Sequence, residues 1–233
     1  MGMAASGWGT TLTMDWVSPG NNPVGYFYVS PYTAQVQGTS QLLTLYCIDF
    51  NHEVAPPLEW QANLQTFDQA NVPNMQYGGL PNPSNTWVDY EAAAYLVTQM
   101  AQALSSPTPN LYQSAVDQYA AWEIFLDSSH TALFNQSVAA AGGSGFSSAI
   151  TAAYNNAFVQ VAGGYTPTGF DILTPDPAGT PGSTQEFLVF ANDAGNLNPA
   201  STPEPSSIAL LATVLAGCWF YVRRRTKAKN ASF

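Results

Sequence analysis

The order of elements along the chain predicts an α+β fold in which a helical unit is inserted into β-structure, not a doubly wound sheet. Three observations predict it. Residues 8–60 read as strand and turn, residues 87–161 hold four helical segments, and the chain returns to strand after Gly164. With 233 residues and 46% hydrophobic side chains, the sequence can core one domain and still carry appendages.

Taken in order, 10–16 and 24–29 are rich in β-formers and bounded by Pro19-Gly20-Asn21-Asn22-Pro23 and by Pro31. Residues 35–36 read as a short strand before Gly38. The strand 42–50 follows. It places Leu43, Leu45, Cys47 and Asp49 on one face and Thr44, Tyr46, Ile48 and Phe50 on the other. Both faces are largely apolar, which predicts a central, buried strand. Asn51-His52-Glu53 ends it, Pro56-Pro57 breaks the chain, and 59–66 reads as another strand. Residues 71–85, rich in Asn, Pro and Gly, are expected to be loop.

A helical unit is then expected over about 87–162. In 87–104, Ala93, Leu96, Val97, Met100 and Leu104 line one face, and Ser105-Ser106-Pro107 stops the helix. Asn110 is placed to cap the next helix, 111–127. There Leu111, Ala115, Gln118, Trp122 and Phe125 form one stripe, with Gln118 the polar exception. Weaker helices cover 132–141 and 147–161, ending at Gly142-Gly143 and Gly163-Gly164. Strands return at 170–173 and 185–190, where Phe187 and Val189 share a face, across a loop with Pro175, Pro177 and Pro181.

Charge is distributed unevenly. All five basic residues lie at Arg223, Arg224, Arg225, Lys227 and Lys229, while residues 1–222 carry all 15 acids and no Lys or Arg. The body has no basic side chain with which to clamp phosphate, so nucleic-acid binding is excluded as an expectation. No lysine amine is present in the body to quench an acyl group within the same molecule. Cys47 and Cys218 are the two cysteines, and the topology read below puts them in different compartments, unpaired.

Cys47 and Gln118 are the residues with chemistry to offer. A carboxamide in an apolar stripe costs on the order of 1–3 kcal/mol unless its polar atoms are paired. One reading is a core glutamine bonded to backbone beside an inert core thiol. The other is reaction between the two: the thiol attacks the carboxamide carbon, expels ammonia and leaves an internal thioester. Tyr46-Cys47-Ile48-Asp49, followed by Gln118-Tyr119-Ala120-Ala121-Trp122, resembles the paired motifs of the bacterial thioester-domain family. The resemblance spans roughly residues 31–190, with these two motifs its distinctive parts. It implies a β-sandwich or barrel carrying the helical insertion, with Cys47 as thiol and Gln118 as acyl donor. Tyr46, Asp49 and Trp122 match the flanking motif positions. Tyr119-Ala120-Ala121 is less aliphatic than the family's usual filler.

The C-terminus has its own logic. Residues 1–191 are expected to form the extracellular domain and 192–205 a linker. Residues 206–222 are seventeen mostly apolar, uncharged residues, the short end of a transmembrane helix. Arg223, Arg224 and Arg225 follow at once, predicting that 223–233 is a cytoplasmic tail. Pro203-Glu204-Pro205, an apolar span and an Arg cluster together resemble the PEP-CTERM sorting signal. That resemblance implies processing by an exosortase-type enzyme of a Gram-negative bacterium and delivery to the cell surface or extracellular matrix. Residues 1–22 show neither a positive n-region nor an unbroken apolar core, so a secretory leader is expected upstream or already removed.

The expected function is covalent attachment, through a Cys47–Gln118 thioester, to an amine or hydroxyl on a surface or matrix target. No cofactor, metal or enzymatic turnover is expected, because the protein ends as the acylated product. The alternative is a non-covalent structural or polysaccharide-binding matrix protein with Cys47 inert. A Cys–His hydrolase using His52 or His130, and a metal site from Cys47, Asp49, His52 and Glu53, are weaker readings, since neither shows a signature spacing.

Overall fold

The computed structural model of the chain describes residues 10–20, 22–52, 59–79, 83–176 and 184–194. Among the described residues there are eight strands: β1 (Thr10–Ser18), β2 (Pro23–Val24), β3 (Phe27–Tyr28), β4 (Tyr32–Val36), β5 (Leu42–Cys47), β6 (Glu59–Thr66), β7 (Phe170–Pro175) and β8 (Phe187–Phe190). Six of them close into a barrel in the order β1-β4-β5-β8-β7-β6, and every neighbouring pair is antiparallel. Of sandwich and barrel, the barrel is what forms.

Closure follows from β1. Its Met14 pairs with Val36 of β4 on one side and with Trp60 of β6 on the other. The interior is filled by alternate residues, as the pleat requires. Met14, Ala34, Leu43, Leu45, Cys47, Ala62 and Phe187 are fully buried. Phe187 sits among Tyr32 and Trp60, with ring centroids 6.1 Å away in each case.

The helical unit falls between β6 and β7, as the element order predicts. A 3-10 turn, Gln69–Asn74, replaces the expected start of a loop, capped by Asp68 accepting from Ala70 N–H at 2.9 Å. Four helices follow: α1 (Pro83–Ser105), α2 (Leu111–Phe125), α3 (Thr131–Ala141) and α4 (Gly143–Ala162). Asn110 caps α2 by accepting from Gln113 N–H at 3.0 Å. That contact is worth about 1 kcal/mol in such positions.

Several expectations need correction. Residues 24–29 are not one strand. Gly25 and Tyr26 turn the chain back, giving a separate β2–β3 hairpin. Strand β5 ends at Cys47, so Asp49 does not share its pleat. The expected stripe of α2 is instead a fully enclosed middle. Every residue from Ser114 to Trp122 is buried, whereas Leu111 is half exposed. The reason is position: α2 packs against both α1 and α4. Helices α1 and α4 each start four residues earlier than expected. Residues 191–194 form a short helix, α5, at the start of the expected linker.

The expected span 206–222, the rest of the linker and the basic tail lie outside the described residues. No helix among the described residues is long and apolar enough to cross a membrane.

Candidate functional site

The site lies where the end of β5 meets the middle of α2. Cys47 and Gln118 are both fully buried. The Gln118 carboxamide is held at both ends: its Nε2 donates to the Cys47 carbonyl at 2.6 Å, and its Oε1 accepts from Ser30 N–H at 3.1 Å. Swapping oxygen and nitrogen would set donor against donor and acceptor against acceptor, so this network assigns the amide orientation. Ser30 serves a second time. Its Oγ accepts from Cys47 N–H at 2.9 Å, tying β5 to the chain entering β4.

The Cys47 thiol has two partners. It donates to the Asp49 carbonyl at 3.1 Å and lies 3.4 Å from the indole Nε1–H of Trp122. Burial, and then the nearby Asp49 carboxylate, push the thiol far above its ordinary range, and the Trp122 and Asp49 hydrogen bonds offset only part of that. The resting group is therefore a thiol, not a thiolate.

Trp122 is wedged in an aromatic cluster, with ring centroids 5.0 Å from Tyr119, 5.3 Å from Phe50 and 6.1 Å from Phe27. That packing fixes its N–H toward sulfur. Tyr46 faces the other way and packs edge-on to Phe190 at 5.6 Å, anchoring β5 to β8. The two motifs thus supply a hydrogen-bonded Cys47–Gln118 pair, one N–H facing sulfur and one structural anchor.

Asp49, beyond the end of β5, anchors a turn. Its Oδ1 accepts from Asn51 N–H at 2.9 Å and from the Tyr77 hydroxyl, and its Oδ2 meets His52 Nδ1 at 2.7 Å. Asn51 in turn donates to Phe125 O at 2.6 Å and accepts from Asp127 N–H at 3.0 Å. The turn 49–52 therefore holds the C-terminal end of α2, two helical turns beyond Gln118. His52 is raised above its ordinary value by its Asp49 hydrogen bond, with burial opposing. It bonds Asp49 and Gln76, not the thiol. His130 pairs with exposed Asp127 at 2.8 Å. Neither histidine hydrogen-bonds Cys47, so the geometry gives no Cys–His pair. Glu53 lies outside the described residues.

Two residues were not singled out by sequence reasoning. Ser30 precedes a proline at a strand entrance, and nothing in that context marks it. Glu186 is fully buried just before β8. It accepts from Gln76 N–H at 2.8 Å, Thr174 Oγ1 at 2.7 Å and Tyr90 Oη at 2.6 Å. Its carbonyl accepts from Ile48 N–H at 3.1 Å. Burial pushes its carboxyl up to about 7 despite those donors. Glu186 follows the polar residues Ser183-Thr184-Gln185, so nothing in the local sequence marks it as buried.

Residues 201–225 match the PEP-CTERM protein-sorting motif. Pro203, Glu204, Pro205 and Arg223 to Arg225 fall inside that match. The motif is the recognition signal for exosortase processing and marks an exported surface protein. Among solved structures, the N-terminal domain of the Streptococcus pyogenes pilus tip adhesin Cpa is similar at a TM-score of 0.44 and 12% identity, covering 80% of this chain and 95% of that one. No curated protein matches the chain.

Proposed function

We propose that Cys47 and Gln118 form an internal thioester, and that the exported protein uses it once to acylate an amine or hydroxyl on a surface or matrix target. The observation that carries this reading is the doubly held Gln118 carboxamide. Its oxygen faces a backbone N–H, and its nitrogen lies against the residue that bears the thiol.

The chemistry follows atom by atom. Sγ of Cys47 bonds to Cδ of Gln118, and charge develops on Oε1, where Ser30 N–H already donates. A preorganised donor at that oxygen is the device used in other acyl transfers. The Trp122 N–H steadies sulfur as it loses its proton. The thiol proton goes to Nε2, the C–N bond breaks, and ammonia leaves. Later a nucleophile bonds to Cδ, the C–S bond breaks, and sulfur takes the nucleophile's proton. The product is an amide or ester on residue 118 with a free Cys47 thiol. The acyl group is consumed, so there is no turnover and the protein is not an enzyme.

Intact mass of the full chain tests this. The chain is expected to be lighter by one ammonia and to gain one methylamine when treated with that amine. Cys47→Ala is expected to show its full mass and no gain. A full wild-type mass, with Cys47 alkylated once the chain is denatured, would sink the proposal and leave a non-covalent matrix protein.

The indole donor gives a second prediction. Trp122→Phe keeps the ring packing but removes the N–H facing sulfur. Thioester formation after refolding is expected to slow about tenfold, the factor for one lost charge-assisted hydrogen bond. Ammonia loss followed by mass against time reads it, and an unchanged rate would deny the indole that role.

A further inference from the structure

Both reacting groups are fully buried, so no nucleophile larger than the packing gaps reaches Gln118 while the fold stays closed. Some element must move. The barrel wall is hydrogen-bonded on every side, and α2 is enclosed by α1 and α4. Among the described residues, the segment 22–30, which carries β2 and β3, lies directly over the pair, with Ser30 on Gln118 and Phe27 on Trp122.

We propose that this hairpin is the lid that decides which nucleophiles reach the Gln118 carbonyl, a reading that rests on the thioester proposed above. Its strands are two residues each and pair only with one another among the described residues. A two-stranded hairpin is marginal by itself. Its closed position therefore depends on what it sits on.

Besides Tyr32 Oη donating to Tyr28 O at 2.6 Å and Ser30 Oγ accepting from Cys47 N–H at 2.9 Å, three contacts hold it. Phe27 points inward, edge-on to Phe50 at 5.0 Å and to Trp122 at 6.1 Å. Ser30 N–H meets Gln118 Oε1 directly. The third is a hydrogen-bond chain to the helices. Tyr26 N–H donates to Ser137 Oγ at 3.0 Å, Ser137 and Tyr119 hydroxyls meet at 2.5 Å, and Tyr119 donates to Val24 O at 2.8 Å. One donor order satisfies every member: Tyr26 to Ser137, Ser137 to Tyr119, Tyr119 to Val24. Tyr26 and Tyr28 alternate with Phe27 and face solvent, 63% and 49% exposed.

Gly25 makes the fit possible. It has φ of +61°, and a Cβ there would come within 2.3 Å of Ser137 Oγ and 2.4 Å of Ser137 O. Any side chain at this position must prise the hairpin tip from α3. Loss of closed-state contacts raises the open population in proportion, and the acylation rate of an occluded site follows that population.

The test uses the full chain with Gly25→Ala and Ser137→Ala. Ser137→Ala breaks the same latch without adding bulk, should Gly25→Ala fail to fold. Ammonia loss is read first, and then the rates of methylamine and glucosamine incorporation. Both variants are expected to retain ammonia loss and to take up methylamine about tenfold faster, with glucosamine accelerated more. Rates within about twofold of wild type in a folded variant would overturn the lid. If the wild-type chain shows no ammonia loss, the thioester reading has failed separately. The lid is then read from iodoacetamide alkylation of Cys47, where the same tenfold increase supports it and equal rates overturn it.

Discussion

Glu186→Ala is expected to destabilise the domain by about 3–5 kcal/mol, whereas Glu186→Gln costs about 1 kcal/mol or less. The carboxyl accepts from three groups: Gln76 N–H after the 3-10 turn, Tyr90 on α1 and Thr174 on β7. Alanine leaves all three facing a cavity in a fully buried place. Each stranded donor costs roughly 1–3 kcal/mol, and Gln65 Nε2, 3.3 Å from Thr174 Oγ1, is itself a donor and cannot take the freed hydroxyl proton. Glutamine keeps an acceptor oxygen, and its amide faces the Tyr90 hydroxyl, which can accept as well as donate. Urea unfolding of the two variants side by side measures this. Equal losses would show that Glu186 contributes volume, not hydrogen bonds. The expected asymmetry identifies Glu186 as the rivet between barrel and helical unit.

The second large effect is pH dependence. The domain is expected to be more stable at pH 5.5 than at pH 8. Burial raises Glu186 from 4.5 to about 7 and Asp117 from 3.8 to about 7. Asp117 is buried on α2 with its Oδ2 unpartnered and only Gln113 Nε2 donating to Oδ1, at 2.9 Å. For each, the folded chain binds a proton more tightly than the unfolded chain. Their stabilising contribution is complete below about pH 4 and is lost as pH rises through about 7. His52 acts in the same direction. It is raised by Asp49, so its contribution is present below its unfolded value and lost as pH climbs past the folded one. Asp127 opposes them: burial raises it, but the hydrogen bonds from Ser129 and His130 together outweigh that and hold it at about 2, so its window lies below pH 4. Glu186 and Asp117 carry at most roughly 3–4 kcal/mol each, reduced by solvent relaxation. A rise in Tm of about 5–10 °C on going from pH 8 to 5.5 is the expected result. A Tm that falls over that interval would reverse the assignment, and Glu186→Gln should flatten the profile.

Much of the fold was legible because the signals were local. The strand 59–66 has the predicted bounds, and Asn110 caps α2 as its residue type implies. The β-α-β order placed the helical unit correctly. What escaped depended on tertiary position. The turn at Gly25-Tyr26 splits an apparently continuous β-rich run, and only contact with Ser137 shows why that glycine is needed. The middle of α2 is buried all round, so periodicity alone picked out too narrow a stripe. Cys47, Gln118 and Trp122 were found as motif residues, and they do meet. Ser30 could not be found, because its contribution at Gln118 is a backbone N–H, which every residue but proline has.

The closed barrel has a consequence for display in crowded layers. A sheet with free edges invites neighbours to add strands, and the risk grows as copies concentrate. Here all six barrel strands are paired on both sides. Copies packed side by side on a cell surface meet a barrel with no open hydrogen-bonding row, and the free edges among the described strands are those of the two-residue β2 and β3. Dense arrays can thus stay as separate folded units instead of fusing with the copy beside them.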